Sequence, residues 1–343
     1  MTQPPSPDAD DALDVENEQH PAGLPPIQPR PLQVFSLHTI APLAPASVLG
    51  VLARLGILYL GTYSGQSAFS LAWVQAAGCF VMGLCIALRD PITATYQPLY
   101  LALTTGFCGS LTTFSGWQLD VFLAWANKPY THKHTIHTIV DGLTLLAFTF
   151  GLSLAALQFG VHIASSVSAT FSIKPHPLRP SGFVTILCLC TFLATIPAFV
   201  LLPKFDRFVV CSALLYSYPG TLLRYTLGTK LNNPRFPYGT FAANVLGTAL
   251  LAAFYVLRSS SVSTNFNACI VIQGLSDGLC GCLTTVSTFA AEIRAANSKT
   301  AWTYTAASVL AAQLVCVLVL VPAWSTHAIF DTVRCLAHGS EQD

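Results

Sequence analysis

The sequence predicts an all-α polytopic membrane protein in which two inverted four-helix repeats are joined by one linker transmembrane helix. Three observations support this prediction: an apolar composition, a series of apolar segments of membrane-spanning length, and a motif that occurs twice. The chain is 53% hydrophobic and 9% charged, whereas soluble domains carry about 25% charged residues. Its net charge of +1 gives no electrostatic reason to expect a nucleic-acid partner.

The composition changes along the chain, and we divide it into five parts. Residues 1–42 are rich in proline and acidic residues, which is typical of a disordered tail. This polar start does not resemble a cleavable signal peptide. The remaining parts are a first four-helix channel repeat at 43–165, a linker with one transmembrane helix at 166–206, a second four-helix channel repeat at 207–325 and a C-terminal tail at 326–343.

Nine segments have about the 20 apolar residues that a hydrocarbon core of ~30 Å requires. They are predicted at 45–63, 67–88, 97–127, 137–163, 182–202, 207–229, 239–257, 267–296 and 300–323. Segments 97–127 and 267–296 are longer than one span needs, so the third helix of each repeat is predicted to be broken. Lys and Arg are nearly balanced between the two sides, and a slight excess predicts a cytosolic N-terminus.

A twelve-residue motif lies inside both long segments. Residues 106–117 read GFCGSLTTFSGW and residues 278–289 read GLCGCLTTVSTF. Gly and Thr weaken a helix, and irregular backbone at membrane depth is tolerated only where it is buried in protein or lines a watery path. The repeated motif therefore indicates an ion path. The alternative is a close helix crossing, with threonine hydroxyls bonded to their own backbone.

An arginine precedes each motif at nearly the same distance, Arg54 before Gly106 and Arg224 before Gly278. Each repeat contains four helices, an even number, and one unmatched helix at 182–202 separates the repeats. The second repeat is therefore expected to enter the membrane from the opposite face, which places the centre of a path near the midplane. Both arginines are expected close to helix ends, where their side chains can reach the interface.

Three kinds of group can act along this path. Carbonyl groups freed at 109–112 and 281–284 suit a hard monovalent cation, which prefers oxygen ligands. The edges of phenyl rings carry partial positive charge and can contact a small anion. Polar side chains in the second half, Asn244, Ser287, Thr288, Tyr304 and Ser308, can replace water around an anion. Ordinary packing and hydrogen bonds between helices are the alternatives.

At these residues the chain resembles the fluoride channels of the Fluc/FEX family. The motif at 106–115 is close to the family signature, and Arg224, Gly239, Thr240, Asn244 and Gly247 match a second one. Bacterial members are four-helix proteins that dimerise antiparallel, and fungal and plant members fuse two such units through one extra helix. The resemblance covers about residues 45–323 and implies a passive fluoride pathway with a structural sodium ion.

The resemblance also implies roles for individual residues. The backbone carbonyls of Gly109, Thr112, Gly281 and Thr284 take the positions of the sodium ligands. Phe114, Phe289, Asn244, Ser287, Tyr304 and Ser308 take positions along the fluoride pathway, to which the residue pattern adds Thr288. One phenylalanine pairing, Phe114 with Phe289, is intact, whereas the other joins Val286 with Trp117. One working pore and one degenerate pore are therefore predicted.

The expected function is passive export of cytoplasmic fluoride through the plasma membrane, which gives fluoride resistance. Because one chain supplies both repeats, a monomer is expected, with fluoride and the lipid bilayer as its partners. One alternative is a proton-coupled small-anion transporter with Glu292 or Asp277 as its titratable group. Another is a structural membrane scaffold. The predicted spans do not show the nucleophile–base pair or metal-ligand set that an enzyme requires.

Overall fold

The computed structural model describes residues 34–61, 69–128, 134–170, 181–203, 210–260 and 266–326. Within these ranges the regular secondary structure is helical, and no residue belongs to a β-strand. The helices of the first half and the linker are α1 Leu37–Ile40, α2 Leu43–Gly61, α3 Ser70–Ala87, α4 Arg89–Leu101, α5 Phe114–Trp125, α6 Thr135–Thr170, α7 Gly182–Leu193 and α8 Thr195–Leu201. Those of the second half are α9 Ser212–Leu231, α10 Tyr238–Ser259, α11 Phe266–Gly274, α12 Val286–Ala295 and α13 Ser298–Ser325.

Many of these helices are long and apolar enough to cross a membrane. In the described part of the chain, seven stretches meet this condition: Leu37–Gly61, Ser70–Ala87, Thr135–Ser168, Gly182–Leu201, Tyr238–Ser259, Phe266–Ala295 and Ser298–Ser325. The predicted segments 97–127 and 207–229 are not among these seven stretches. The chain is an all-α polytopic membrane protein, and the count of nine spans stays a prediction.

Helix α13 shows the distribution of polarity that a bilayer requires. Leu310, Leu314 and Leu318 follow one another at a spacing of four residues and are 58–68% exposed. Side chains at this spacing share one face of a helix, so α13 presents an apolar stripe to its surroundings. The polar side chains of Gln75 and Asn244, by contrast, are fully buried. Apolar groups outside and polar groups inside are expected of a protein that is solvated by lipid.

Both long segments contain the predicted break. In the first half α4 continues through a π-helical stretch, Ala102–Cys108, and one turn at Gly109–Leu111, before Thr112 becomes extended at φ −88° and ψ 151°. The second half repeats this course through Leu275–Cys280 and Gly281–Leu283, and Thr284 is extended at φ −97° and ψ 154°. π-Helical turns are rare and concentrate at functional sites. The structure thus confirms the broken helices.

A glycine in the first long helix of each half, α2 or α9, allows that helix to approach the break closely. A Cβ atom added to Gly50 in α2 would lie 2.6 Å from the carbonyl oxygen of Phe107, and one added to Gly220 in α9 would lie 2.5 Å from that of Leu279. Cβ atoms do not occupy such positions, so only glycine permits this backbone-to-backbone contact. The two halves therefore pack their first and third helices in the same way.

Residues 34–42 correct the predicted boundary of the N-terminal tail. This apolar stretch contains α1 and is held to α9, since the Tyr225 hydroxyl donates to the Val34 carbonyl at 2.7 Å and the Tyr218 hydroxyl donates to the Ile40 carbonyl at 3.2 Å. The acidic, proline-rich signal ends earlier than the boundary placed at residue 42. The rest of the predicted tail, 1–33, and residues 327–343 of the predicted C-terminal tail lie outside the described residues.

Candidate ion pathway

An amide side chain from the second helix of each half holds the break open. Gln75 Oε1 accepts from the backbone N–H of Thr113 at 3.1 Å, and its Nε2 donates to the Thr113 carbonyl at 2.6 Å. Asn244 makes the same two bonds with Thr285, at 2.9 and 3.3 Å. In a continuous helix the N–H of Thr113 would bond the carbonyl four residues earlier. The Gln75 amide therefore binds the N–H of Thr113, which would otherwise bond the Gly109 carbonyl. Asn244 likewise binds the N–H of Thr285, which would otherwise bond the Gly281 carbonyl.

Threonines exchange hydrogen bonds between the two breaks. Thr284 Oγ1 accepts from the N–H groups of Phe114 and Ser115, both at 3.2 Å. Thr112 Oγ1 accepts from those of Val286 and Ser287, at 3.2 and 3.1 Å. Free N–H groups at a helix start are usually capped by a neighbouring side chain of the same segment. Here each half caps the helix of the other, so the two breaks meet as a single buried unit.

The two arginines correct the prediction that they lie at helix ends. Arg54 and Arg224 lie within α2 and α9 and are only 3% and 5% exposed. Arg224 donates from Nε to the Cys282 carbonyl at 2.8 Å and from Nη2 to the Thr105 carbonyl at 2.7 Å. A buried charge of this kind must find hydrogen-bond partners inside the protein.

Each guanidinium group reaches into the opposite half. The Arg54 guanidinium donates to the Asp277 carbonyl and lies against Gly281, whereas the Arg224 guanidinium lies against Gly109. A Cβ atom at either glycine would collide with the guanidinium group. The motif thus requires glycine at these positions because an arginine of the other half occupies the space of a side chain.

The aromatic side chains of the motif form one buried cluster. The rings of Phe114 and Phe289 are fully buried, with centroids 5.3 Å apart and planes at 69°. Tyr304 meets Phe289 edge to face at 4.9 Å. Trp117 packs edge-on to Phe114 at 5.5 Å and donates through Nε1 to the Leu145 carbonyl of α6. Trp117 is thus fixed to the first half, and the predicted pair of Phe114 and Phe289 is in direct contact.

The predicted polar residues divide into two groups. Ser287 lies at the cross-capped break, where its Oγ accepts from Thr112 Oγ1 at 3.1 Å. Thr288 lies in the first turn of α12, and its N–H donates to Thr285 Oγ1 at 3.3 Å. Asn244 also serves the break, as described above. Ser308 is fully buried on α13, and its hydroxyl has no hydrogen-bond partner within the described part of the chain. Ser308 thus has a free polar group, whereas the Tyr304 hydroxyl on the same helix donates to Glu292.

The carboxylate of Glu292, which the sequence offers as a titratable group for a proton-coupled transporter, lies beside this cluster. Glu292 Oε2 accepts from the Tyr304 hydroxyl at 2.7 Å. Glu292 Oε1 accepts from Thr240 Oγ1 at 2.6 Å and from Asn232 Nδ2 at 3.1 Å. Three donors from three parts of the second half thus hold the carboxylate. Sequence reasoning missed Asn232 and Thr240 as its partners because they lie far from it in the chain.

A glutamine pair was also missed. Gln118 and Gln313 are both buried, and they hydrogen-bond each other between α5 and α13. The available signal was a glutamine inside each apolar segment, four residues after Phe114 and five residues after Ser308.

The sequence model of one family, described as CrcB-like protein, Camphor Resistance (CrcB), matches residues 42–161 and 211–323. Fluoride export protein 1 of Neurospora crassa is 30% identical over 97% of this chain and 75% of its own length. Fluoride export protein 1 of Candida albicans is 32% identical over 80% of this chain and 77% of its own length.

A bacterial protein is similar to part of the chain. Fluoride-specific ion channel FluC 1 of Staphylococcus aureus is 34% identical over 29% of this chain and 78% of its own length. A protein of roughly one repeat in size thus matches a single portion of this sequence. No solved structure matches the chain.

Proposed function

The chain belongs to the CrcB-like family, and we propose that it is a passive channel that exports cytoplasmic fluoride and so confers fluoride resistance. Its fungal relatives are named fluoride export proteins and match most of the chain. Relatives named as export proteins or as an ion channel also fit a protein that is not an enzyme. Fluoride is then the transported ion, and the lipid bilayer is the medium in which the protein works.

The observation that carries this proposal is the buried contact between Phe114 and Phe289, with Tyr304 against Phe289 and Ser308 buried four residues after Tyr304 on α13. Ring edges with partial positive charge can contact a dehydrated anion without the strong binding of a full charge. Conduction requires binding that is favourable enough for entry and weak enough for exit. The unpartnered Ser308 hydroxyl supplies a hydrogen bond that water would otherwise provide.

The direction of transport follows from the membrane potential. A potential that is negative inside favours the exit of a monovalent anion by about 2.3 kcal/mol per 100 mV. A channel in the plasma membrane therefore needs no coupled ion to expel fluoride. Because both repeats are present in one chain, the monomer is sufficient for transport.

The contacts between the halves support an inverted arrangement. Thr112 and Thr284 each cap the helix start of the other half, and Arg54 and Arg224 each contact a glycine of the other half. Two units related by a two-fold axis make contacts of this kind. An odd number of linker helices makes that axis lie in the membrane plane. We assign nine spans with a cytosolic N-terminus, repeats at 43–165 and 207–325, and a linker at 166–206.

One pore is proposed to conduct. Phe114 and Phe289 come from different halves and supply both phenylalanines of a single pathway, next to Tyr304. The second pathway would need rings at Val286 and Trp117. Val286 has no ring, and Trp117 is fixed by stacking on Phe150 at 6.3 Å and by its bond to the Leu145 carbonyl.

A structural sodium ion is proposed at the two breaks. Gly109 and Gly281 lose their helical N–H partners to Gln75 and Asn244, and Thr112 and Thr284 are extended and fully buried. Carbonyl oxygens of this kind suit a hard monovalent cation, so the residues fit the ion. The ion would supply positive charge that joins the two breaks, and these four residues would hold it through their carbonyl groups.

A proton-coupled anion transporter is the second candidate, favoured by the buried carboxylate of Glu292 beside Tyr304. Ionisable groups within membrane segments are often parts of proton relays. This candidate requires that flux depend on a proton gradient.

Fluoride efflux from liposomes tests the proposal. Purified protein is reconstituted with internal potassium fluoride, efflux is started with a potassium ionophore, and an electrode records external fluoride. We expect release at a rate that a proton gradient does not change, with no release of chloride. Absence of fluoride release would reject the channel, and dependence on the proton gradient would favour the transporter.

A further inference from the structure

The buried glutamine pair lies further along two helices of the aromatic cluster, the one that carries Phe114 and the one that carries Tyr304. Gln118 follows Phe114 by four residues in α5, one turn along the same helix face. Gln313 follows Ser308 by five residues in α13, about 7.5 Å further along that helix. Gln118 is fully buried and Gln313 is 9% exposed. The pair therefore lies beyond Phe114, on the side away from Tyr304 and Glu292.

The hydrogen bonds of the pair determine which way the amides point. Gln313 Nε2 donates to the Gln118 backbone carbonyl at 3.0 Å and to Gln118 Oε1 at 2.9 Å. Because a carbonyl can only accept, the Gln313 atom that faces it must be the amide nitrogen. Gln118 then presents its oxygen to Gln313, and its own NH2 group points away from the pair.

Unused hydrogen-bonding groups are left in this place. Gln118 Nε2, Gln313 Oε1 and Ser308 Oγ are buried and have no hydrogen-bond partner among the residues that the structure describes. Buried polar groups in native proteins are nearly always paired with protein or with ordered solvent. A primary amide that has hydrogens to donate, in surroundings of low dielectric, forms a site for a small hydrogen-bond acceptor.

The site belongs to one pore only. In the aligned motifs Trp117 corresponds to Phe289, so Gln118 corresponds to Ala290. The side chain of alanine has no donor, and the degenerate pathway therefore lacks this group. The amide follows Phe114, the phenylalanine that the conducting pathway uses.

We propose that Gln118 and Gln313 form a further fluoride subsite, one helical turn beyond Phe114. The Gln118 NH2 group donates to a fluoride ion that has lost water, and Gln313 orients that amide. The Ser308 hydroxyl donates to the ion as it moves between the phenylalanine pair and the glutamine pair. This inference rests on the proposed function as a fluoride channel.

The test compares three glutamine-to-methionine variants of the full chain in the liposome assay. Methionine is similar in length to glutamine but has no N–H to donate. We expect Gln118→Met to lower fluoride efflux by about tenfold, which corresponds to an activation barrier higher by about 1.36 kcal/mol. Gln313→Met is expected to lower it less, by about threefold, because the donor remains but loses its orientation. Gln158→Met, at an exposed glutamine of α6, is the matched control and should leave efflux unchanged.

Each outcome has a defined meaning. If the parent protein conducts and Gln118→Met conducts at the same rate per folded molecule, the subsite is overturned and the channel stands. If the parent protein does not conduct, the proposed function is overturned and the subsite with it. A buried pair with a purely structural role would lower the thermal unfolding temperature of Gln118→Met without lowering its efflux. If Gln118→Met is not recovered in folded form, Gln313→Met decides by the same criterion.

Discussion

The two halves build the same backbone break but surround it with different side chains. In both, an amide from the second helix holds an extended threonine, and a buried arginine reaches across to a glycine of the other half. Around the second break lie Phe289, Tyr304 and Glu292, whereas the first has Trp117 stacked on Phe150. The backbone unit needs both halves at once, since each caps the other. A pathway needs only one set of lining side chains, so the other set is free to change.

The largest effect is expected at the two phenylalanines. Phe114→Ile and Phe289→Ile keep an apolar side chain but remove the ring edge that contacts the anion. Each should lower fluoride efflux by at least about 100-fold, a barrier higher by about 2.7 kcal/mol. Efflux per folded molecule in liposomes measures this directly.

The matching positions of the pathway that is proposed to be degenerate supply the control. Trp117→Phe and Val286→Phe change the aromatic content there and leave both Phe114 and Phe289 in the chain. Both should keep efflux within about threefold of the parent. A large gain of efflux per folded molecule in Val286→Phe would show that the second pathway can conduct and would break the comparison between the halves.

A smaller effect, on stability, is expected where the halves are alike. Gln75→Ala and Asn244→Ala each leave the N–H and carbonyl of one extended threonine unpaired. A buried unpaired group costs about 1–3 kcal/mol, so each variant should lose about 2–3 kcal/mol of stability. Thermal unfolding in detergent checks this, and a loss confined to Asn244→Ala would contradict the equivalence of the two breaks.

Much of the fold was predictable from the sequence because membrane helices are read from composition and length. The two breaks were predictable because Gly and Thr recur at fixed spacing inside segments too long for one span. Hydropathy alone did not reveal the depth of Arg54 and Arg224, since a charge near the end of an apolar window looks the same whether it reaches outward or inward. The inward direction of each arginine is set by a buried carbonyl of the opposite half to which it donates.

The candidate pathway was predictable only in part. Phe114 and Phe289 were paired through the resemblance. Their rings are in contact in the structure, and their shared role in transport stays a prediction. Asn244 was expected to donate along the path, but its amide is bonded to Thr285. The sequence pattern can identify a buried polar residue. Which group that residue bonds depends on contacts between segments that are distant in the chain.

The arginines offer a sharper test of equivalence. Arg224→Lys replaces a guanidinium that bonds two carbonyls with a single ammonium group, which cannot reach both. One buried carbonyl is then unpaired, and we expect a loss of about 1–2 kcal/mol of stability. Arg54→Lys should behave alike because it occupies the same place in the other half. Arg235→Lys, at an exposed position, is the control for the change of charge group, and equal unfolding temperatures in all three variants would contradict the bridging role.

The smallest effect is expected at Glu292, the buried carboxylate that accepts from Tyr304 in the second half. Glu292→Gln keeps an oxygen that can accept from Thr240 and Asn232 but removes the negative charge beside Tyr304. A passive channel should then change its fluoride efflux by no more than about threefold, because no proton transfer takes part in transport. A coupled transporter would instead lose the dependence of efflux on a proton gradient, since the titrating group would be gone. The decisive measurement is efflux at equal voltage with and without that gradient, in parent and variant together. A gradient effect that is present in the parent and absent in Glu292→Gln would replace the channel by a transporter and would place its coupling group in the second half alone.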